Sequence, residues 1–210
     1  FLLIRRPPRS TLDRSSAASD VYKRQLEDAQ NVLHKFIHDP QTIKMMNQTT
    51  QMIYEVFRNC GRIFTCGNGG SMCDAMHFAE EWTGRFRADR QPLPAMALSD
   101  PAHLTCVAND FGFDEVFARS ITAFGHPGDL LIAISTSGNS QNLVRALEAA
   151  KSAEIKTFAL LGKDGGKMKS MADLWLIAPG QTSDRIQEIH IMVLHILIEA
   201  VERIIFPENY

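Results

Sequence analysis

The apolar positions divide the chain into two regimes. Between residues 26 and 59 they recur at helical spacing. Leu26, Ala29, Val32, Leu33, Phe36 and Ile37 form one stripe, and Ile43, Met46, Ile53, Val56 and Phe57 form a second. Asp39-Pro40 separates them, with proline suited to the first turn of the second helix, and Gly61 ends it. The pattern then changes to short, almost wholly apolar runs at 62–66, 94–98, 129–134, 156–161 and 174–178. Between the runs lie helical stretches near 71–84, 102–107, 114–123, 139–152 and 165–171. Strands alternating with helices predict a parallel sheet covered on both faces, and runs without polar alternation fit strands buried on both sides. A last amphipathic helix is predicted over about 184–204. The expected fold is a three-layer α/β domain over 26–210, with a sheet of about five strands, an N-terminal helical hairpin (26–59) and a long C-terminal helix.

Residues 1–25 fit neither regime. Six cationic side chains face only Asp13 and Asp20, Pro7-Pro8 interrupts the segment, and no helical or strand period emerges. The four leading apolar residues are too few for a secretory signal. The segment reads as non-native adapter sequence or a flexible arm, without regular structure.

Composition narrows the function classes. At 45% hydrophobic and 22% charged, the 210-residue chain is not a disordered one. A net charge of -2 argues against a nucleic-acid binder, and no apolar run is long enough to span a membrane. Cys60, Cys66, Cys73 and Cys106 include no C-x-x-C pair, so they read as free and mostly buried thiols of a reducing cytoplasm.

Two loops at predicted strand ends could hold an anion. Gly67-Asn68-Gly69-Gly70-Ser71 lies between a strand and a helix. It is neither the dinucleotide fingerprint nor a Walker loop, and it reads equally as an anion loop or a tight turn. Ser135-Thr136-Ser137-Gly138-Asn139-Ser140 places four hydroxyls at another strand end, where capping alone needs one. It reads as a phosphate cradle. Without a lysine or arginine it suits a small phosphomonoester better than a Mg²⁺-bound triphosphate. A third turn, Gly162-Lys163-Asp164-Gly165-Gly166-Lys167, lacks the hydroxyls and reads as structural.

Acid–base and metal-ligating candidates sit on two helices. His77 and Glu81 share a face at i, i+4, as an exposed polar pair or as two metal ligands. Gln187 and His195 share one broad face of the last helix but stand about 12 Å apart along its axis. Gln187 also fits a capping box with Asp184, and His195 also fits a core histidine. His190 points elsewhere on the wheel.

Five spaced segments together resemble the phosphoheptose isomerases of the sugar-isomerase (SIS) fold: GNGGSMCDAMHFAEEWTGRF, SDPAHLTCVANDFGF, AISTSGNSQN, GKDGGKM and SDRIQEIHIMVLHILIE. The resemblance covers about residues 26–206 and finds no counterpart for the first 25. It implies conversion of the phosphosugar sedoheptulose 7-phosphate to D-glycero-D-manno-heptose 7-phosphate, toward the heptose of lipopolysaccharide, in a homotetramer with active sites between subunits. It implies that Ser135, Thr136, Ser137 and Ser140 hold the phosphate, with Asn68, Gly69, Gly70 and Ser71 nearby. Asn109, Asp110 and Gln187 would join the substrate site. Glu81 and His195 would form the acid–base pair, and zinc would be held by His77, Glu81, Gln187 and His195. The alternative on the same fold is a non-catalytic phosphosugar-binding or regulatory protein, such as a replication-initiator-associating protein. Such a relative would lack the acid at Glu81 and the histidine at His195, so their presence favours catalysis.

Overall fold

The computed structural model describes the backbone of residues 11–210 and the side chains from Ala18 onward. Two helices lead, α1 (Thr11–His38) and α2 (Pro40–Arg58). Asp39 is the N-cap between them, its carboxylate accepting from the Gln41 N–H at 2.9 Å, and Pro40 opens α2 as the sequence predicts.

The α/β body follows as β1 (Ile63–Gly67), α3 (Gly70–Thr83), β2 (Ala95–Ala97), α4 (Pro101–Phe111), α5 (Ala118–Phe124), β3 (Leu130–Ser135), α6 (Gln141–Ser152), β4 (Lys156–Gly162), β5 (Leu174–Ala178) and α7 (Ser183–Ile205). The five strands form one parallel sheet in the order β2-β1-β3-β4-β5, with Ile63 opposite Leu130 and Leu130 opposite Lys156. Side chains alternate between two cores. Ile63, Leu130, Ile132, Ile134, Phe158 and Leu160 pack beneath α2, α3 and α7. Phe64, Leu131, Ala133, Ala159 and Leu161 pack against Val107, Ile121, Leu143 and Leu147 on the other face. Both sets are apolar, which is why the sequence shows runs rather than alternation.

Four expectations need correction. Of the segment expected to lack regular structure, residues 1–10 lie outside the described residues, while residues 11–25 belong to α1. No proline or glycine occurs between Pro8 and Pro40, and Ala, Arg, Lys and Gln propagate a helix already anchored by buried Val32 and Phe36, without a stripe of their own. The helix expected over 165–171 is only a 3₁₀ turn, Lys167–Ser170, because Gly165 and Gly166 take positive φ. The stretch near 114–123 splits into a 3₁₀ turn (Phe113–Glu115) and α5. Finally, all four cysteines are free, but only Cys66 is buried. Burial raises its thiol pKa, leaving it inert. Among the described residues, no helix is long and apolar enough to cross a membrane.

Candidate active site

Three helix N-termini meet beyond the carboxyl ends of the strands, where open parallel sheets bind ligands. Those of α3, α6 and α7 surround a cavity of about 160 Å³ lined by Asn68, Ser71, Ser135, Thr136, Ser140, Ser183 and Gln187, with Ile134 and Leu143. None of the three has a side-chain cap: the N-cap residues Gly69, Ser140 and Thr182 leave the first N–H groups of their helices without one. Ser140 is therefore present for something other than simple capping. Uncapped N–H groups and oriented helix dipoles suit an anion.

The hydroxyl loop is fixed from within. Ser135 Oγ accepts from the Gly138 N–H at 3.0 Å and Ser137 Oγ from the Asn139 N–H at 3.2 Å. Each of these hydroxyls, accepting in these bonds, still has its own proton to donate. Thr136 Oγ1 lies 3.2 Å from Ser183 Oγ on α7. The third glycine turn buttresses this loop: the Met168 N–H donates to Gly138 O at 3.0 Å and the Lys167 N–H to Asn139 Oδ1 at 3.1 Å. Gly138 has φ +65°, and a Cβ there would collide with the Gly165 carbonyl, so this position needs glycine.

Asn142, which sequence reasoning passed over, ties the two loops together. Its amide and that of Asn68 exchange hydrogen bonds in both directions, at 2.8 and 2.9 Å. Part of the hydrogen-bonding capacity of Asn68 is thus committed to the loop junction. The partners are 74 residues apart, so no local pattern announces them.

Helices α3 and α7 lie side by side in the same direction. At their N-terminal ends, Gln187 Nε2 donates to Ser71 Oγ at 3.4 Å, and a Cβ on Gly70 would stand 2.6 Å from that nitrogen. Gln187 therefore reaches across to α3 rather than completing a capping box with Asp184. Two turns further on, His77, Glu81 and His195 converge. His77 Nε2 lies 3.1 Å from Glu81 Oε1 and 3.3 Å from His195 Nε2, and one ligand atom from each residue falls within 4.8 Å of the others. His195 is not a core histidine: it is half-buried at the cluster, against Phe86 at 5.8 Å between ring centroids. His190 is the core histidine, 0% exposed, donating from Nε2 to Leu161 O at 2.8 Å.

The electrostatics follow from these neighbours. Burial, with His77 and Arg87 nearby, holds the His195 imidazole below its ordinary value against the pull of Glu81. That favours the neutral imidazole. Asp74, one turn before His77, has a buried Oδ2 with no hydrogen-bond partner among the described residues. Burial pushes its carboxyl up to about 6 despite His77. Its i, i+3 spacing from His77 was the available signal, and sequence reasoning did not use it.

Two imidazoles and a carboxylate make a donor set suited to zinc with a position left open. Within one protomer Gln187 does not join them, because about 12 Å of helix separates it from His195. Asn109 and Asp110 lie exposed near the end of α4, where Asn109 Nδ2 donates to Asp110 Oδ1 at 2.7 Å. Their side chains make no hydrogen bond to either loop among the described residues. A larger concavity, of about 520 Å³ between α5 and α6, is lined by none of the candidate site residues and stands apart from this chemistry.

Comparison with known proteins agrees with this geometry. Residues 25–162 match the family model of the SIS domain. The chain is 53% identical over 189 residues to a phosphoheptose isomerase of Fusobacterium nucleatum, covering 90% of this chain and 95% of that protein. Among solved structures, a phosphoheptose isomerase from Francisella tularensis superposes with a TM-score of 0.84 at 32% identity, covering 89% of this chain and 98% of that one. One from Neisseria gonorrhoeae gives 0.74 at 36% identity, covering 92% and 99%. With its uncapped cradle and its His-Glu-His cluster on adjoining helices, the chain belongs to the SIS-domain family and, within it, to the phosphoheptose isomerases.

Proposed function

We propose that this protein converts sedoheptulose 7-phosphate to D-glycero-D-manno-heptose 7-phosphate, supplying heptose for lipopolysaccharide precursors. The observation that carries the reading is the meeting of Glu81, in the last turn of α3, with His195, midway along α7, on two helices whose N-terminal ends border the uncapped cavity. Aldose–ketose isomerisation moves a proton between C1 and C2 through an enediol. One group must take a carbon-bound proton while another moves protons on the oxygens. A carboxylate can only accept, and Glu81 takes the carbon-bound proton; an imidazole can both donate and accept through its two ring nitrogens, and His195 serves the oxygens. The cradle of Ser135, Thr136, Ser137 and Ser140, with Ser71 nearby, grips the phosphate and so orients carbons remote from it.

We read zinc as the resident metal, held by His77, Glu81 and His195. When bound, such an ion polarises the carbonyl and holds the sugar's oxygens in place. Chelator treatment is expected to lower turnover at least ~10-fold, with recovery on adding Zn²⁺. Indifference to both leaves His77 a structural residue.

The assembly we propose is a homotetramer with active sites between subunits, where further contacts to the sugar, including Asn109 and Asp110, come together. His77 is 43% exposed, and Met76 and Ile196 beside the cluster are apolar yet exposed, which supports burial by a second copy. Four free cysteines suit the cytoplasm.

Incubation with sedoheptulose 7-phosphate and detection of the aldose product tests the reading. Product formation is expected. Tight binding of the phosphosugar without product would instead establish the non-catalytic, regulatory alternative.

A further inference from the structure

We propose that Arg90 is a positioning residue for Glu81: its buried guanidinium closes the end of α3 and locks that last turn to α7 through Glu202, with Tyr210 as the outer brace. The inference rests on the reading of Glu81 as an acid–base group.

Arg90 lies in the segment after α3, with its side chain 1% exposed. Every edge of the guanidinium is used. Nη2 donates to the Glu81 carbonyl at 2.7 Å, Nη1 to the Trp82 carbonyl at 2.7 Å, and Nε to Glu202 Oε1 at 2.6 Å. Longer contacts from Nη1 reach Gln91 O at 3.3 Å and Gly84 O at 3.5 Å. The faces of the group lie over Trp82 at 5.7 Å and Phe206 at 5.9 Å. The other oxygen of Glu202 accepts from the Tyr210 hydroxyl at 2.7 Å. Burial and the Glu202 carboxylate push that hydroxyl up to about 12, so it remains a donor.

A helix leaves its last carbonyls without partners, and a cation there is favoured by the helix dipole. A surface lysine would meet that need. Here the cation is buried and bound to a second helix. It joins the two helices that carry the acid–base pair: the carbonyl of Glu81 itself on α3, and Glu202, seven residues beyond His195, on α7. At seven residues, His195 and Glu202 share one face of α7. The clamp therefore spans both helices on the side where the two groups meet. A buried ion pair is a weak source of stability compared with apolar packing, but it fixes one geometry, because a planar fork satisfies three partners in only one orientation.

The test uses Arg90→Lys, Glu202→Gln and Tyr210→Phe in the full-length protein, with Glu81→Gln in parallel. Lysine keeps the charge but loses the fork. In variants that retain the wild-type circular dichroism spectrum and oligomer size, kcat is expected to fall ~10-fold or more for Arg90→Lys and a few-fold for Tyr210→Phe, a misplaced group being costly to rate. KM for sedoheptulose 7-phosphate should stay within about twofold, since the cradle is untouched. A merely structural residue lowers the melting temperature and leaves kcat of the folded protein alone. In the Glu81→Gln background, Arg90→Lys should cost little further, because coupled groups are not additive. Full kcat in folded Arg90→Lys overturns the proposal, as does additive loss in the double variant. Should Arg90→Lys and Glu202→Gln fail to fold, Tyr210→Phe decides by the same kcat criterion. Full activity in Glu81→Gln instead removes the reading on which the proposal rests, whatever Arg90 does.

Discussion

Glu81→Gln is expected to lower turnover at least ~10²-fold with the fold intact, the usual scale for losing a general base, and His195→Ala is expected to do the same. Glutamine keeps the shape of the side chain and its place near His77, so packing is hardly disturbed. It cannot take a proton from carbon. Loss should fall on kcat and on kcat/KM alike, because the cradle that holds the phosphate lies two helical turns away. Steady-state assay of the purified variants with sedoheptulose 7-phosphate checks this. Near-normal turnover in both would remove the pair from the chemistry and leave the His-Glu-His cluster a metal site only.

A second large effect concerns acid stability and centres on His190. Its Nε2–H donates to Leu161 O, while Nδ1 is buried without a partner among the described residues. Protonation would create a second N–H with nothing to receive it. Burial accordingly holds the imidazole down to about 4, against an ordinary 6.5. The folded state binds this proton more weakly than the unfolded state does. The associated stability is complete above pH 6.5 and is lost as pH falls from there through 4. The loss is about 2 kcal/mol between pH 7.5 and pH 5, and about 3 kcal/mol by pH 4. Asp74, raised to about 6, acts in the opposite sense over an overlapping window, since acid relieves its buried charge. Comparing wild type with His190→Gln cancels that contribution. Urea unfolding at the two higher pH values and one protein concentration should show a pH-dependent difference between the two proteins. A difference that does not change with pH would refute the account.

What the sequence disclosed was what short-range periodicity encodes. Apolar runs located all five strands to within a residue or two, because β1, β3 and nearly all of β4 are buried on both faces and the edge strands β2 and β5 are made of apolar residues even where they are partly exposed. The spacing of His77 and Glu81 gave their shared face directly. The position of His195 beside them was not legible from spacing, since it depends on α3 and α7 lying parallel, a tertiary fact. The same holds for Asn142 with Asn68 and for Arg90 with Glu202. Each of these residues is ordinary in its local context and acquires its role from a partner 74 or 112 positions away. The helical character of residues 11–25 was hidden for a different reason: a helix can be propagated by intrinsic preference alone, and then it carries no stripe. Gln187 shows that a satisfied local motif can still mislead, because its side chain reaches across to Ser71 instead of serving the start of its own helix.

Among the described residues, no lysine or arginine lines the cavity enclosed by the three helix starts. An anion held there would rest on neutral donors and helix starts alone, so the direction and number of those donors, rather than net charge, would decide which anion fits.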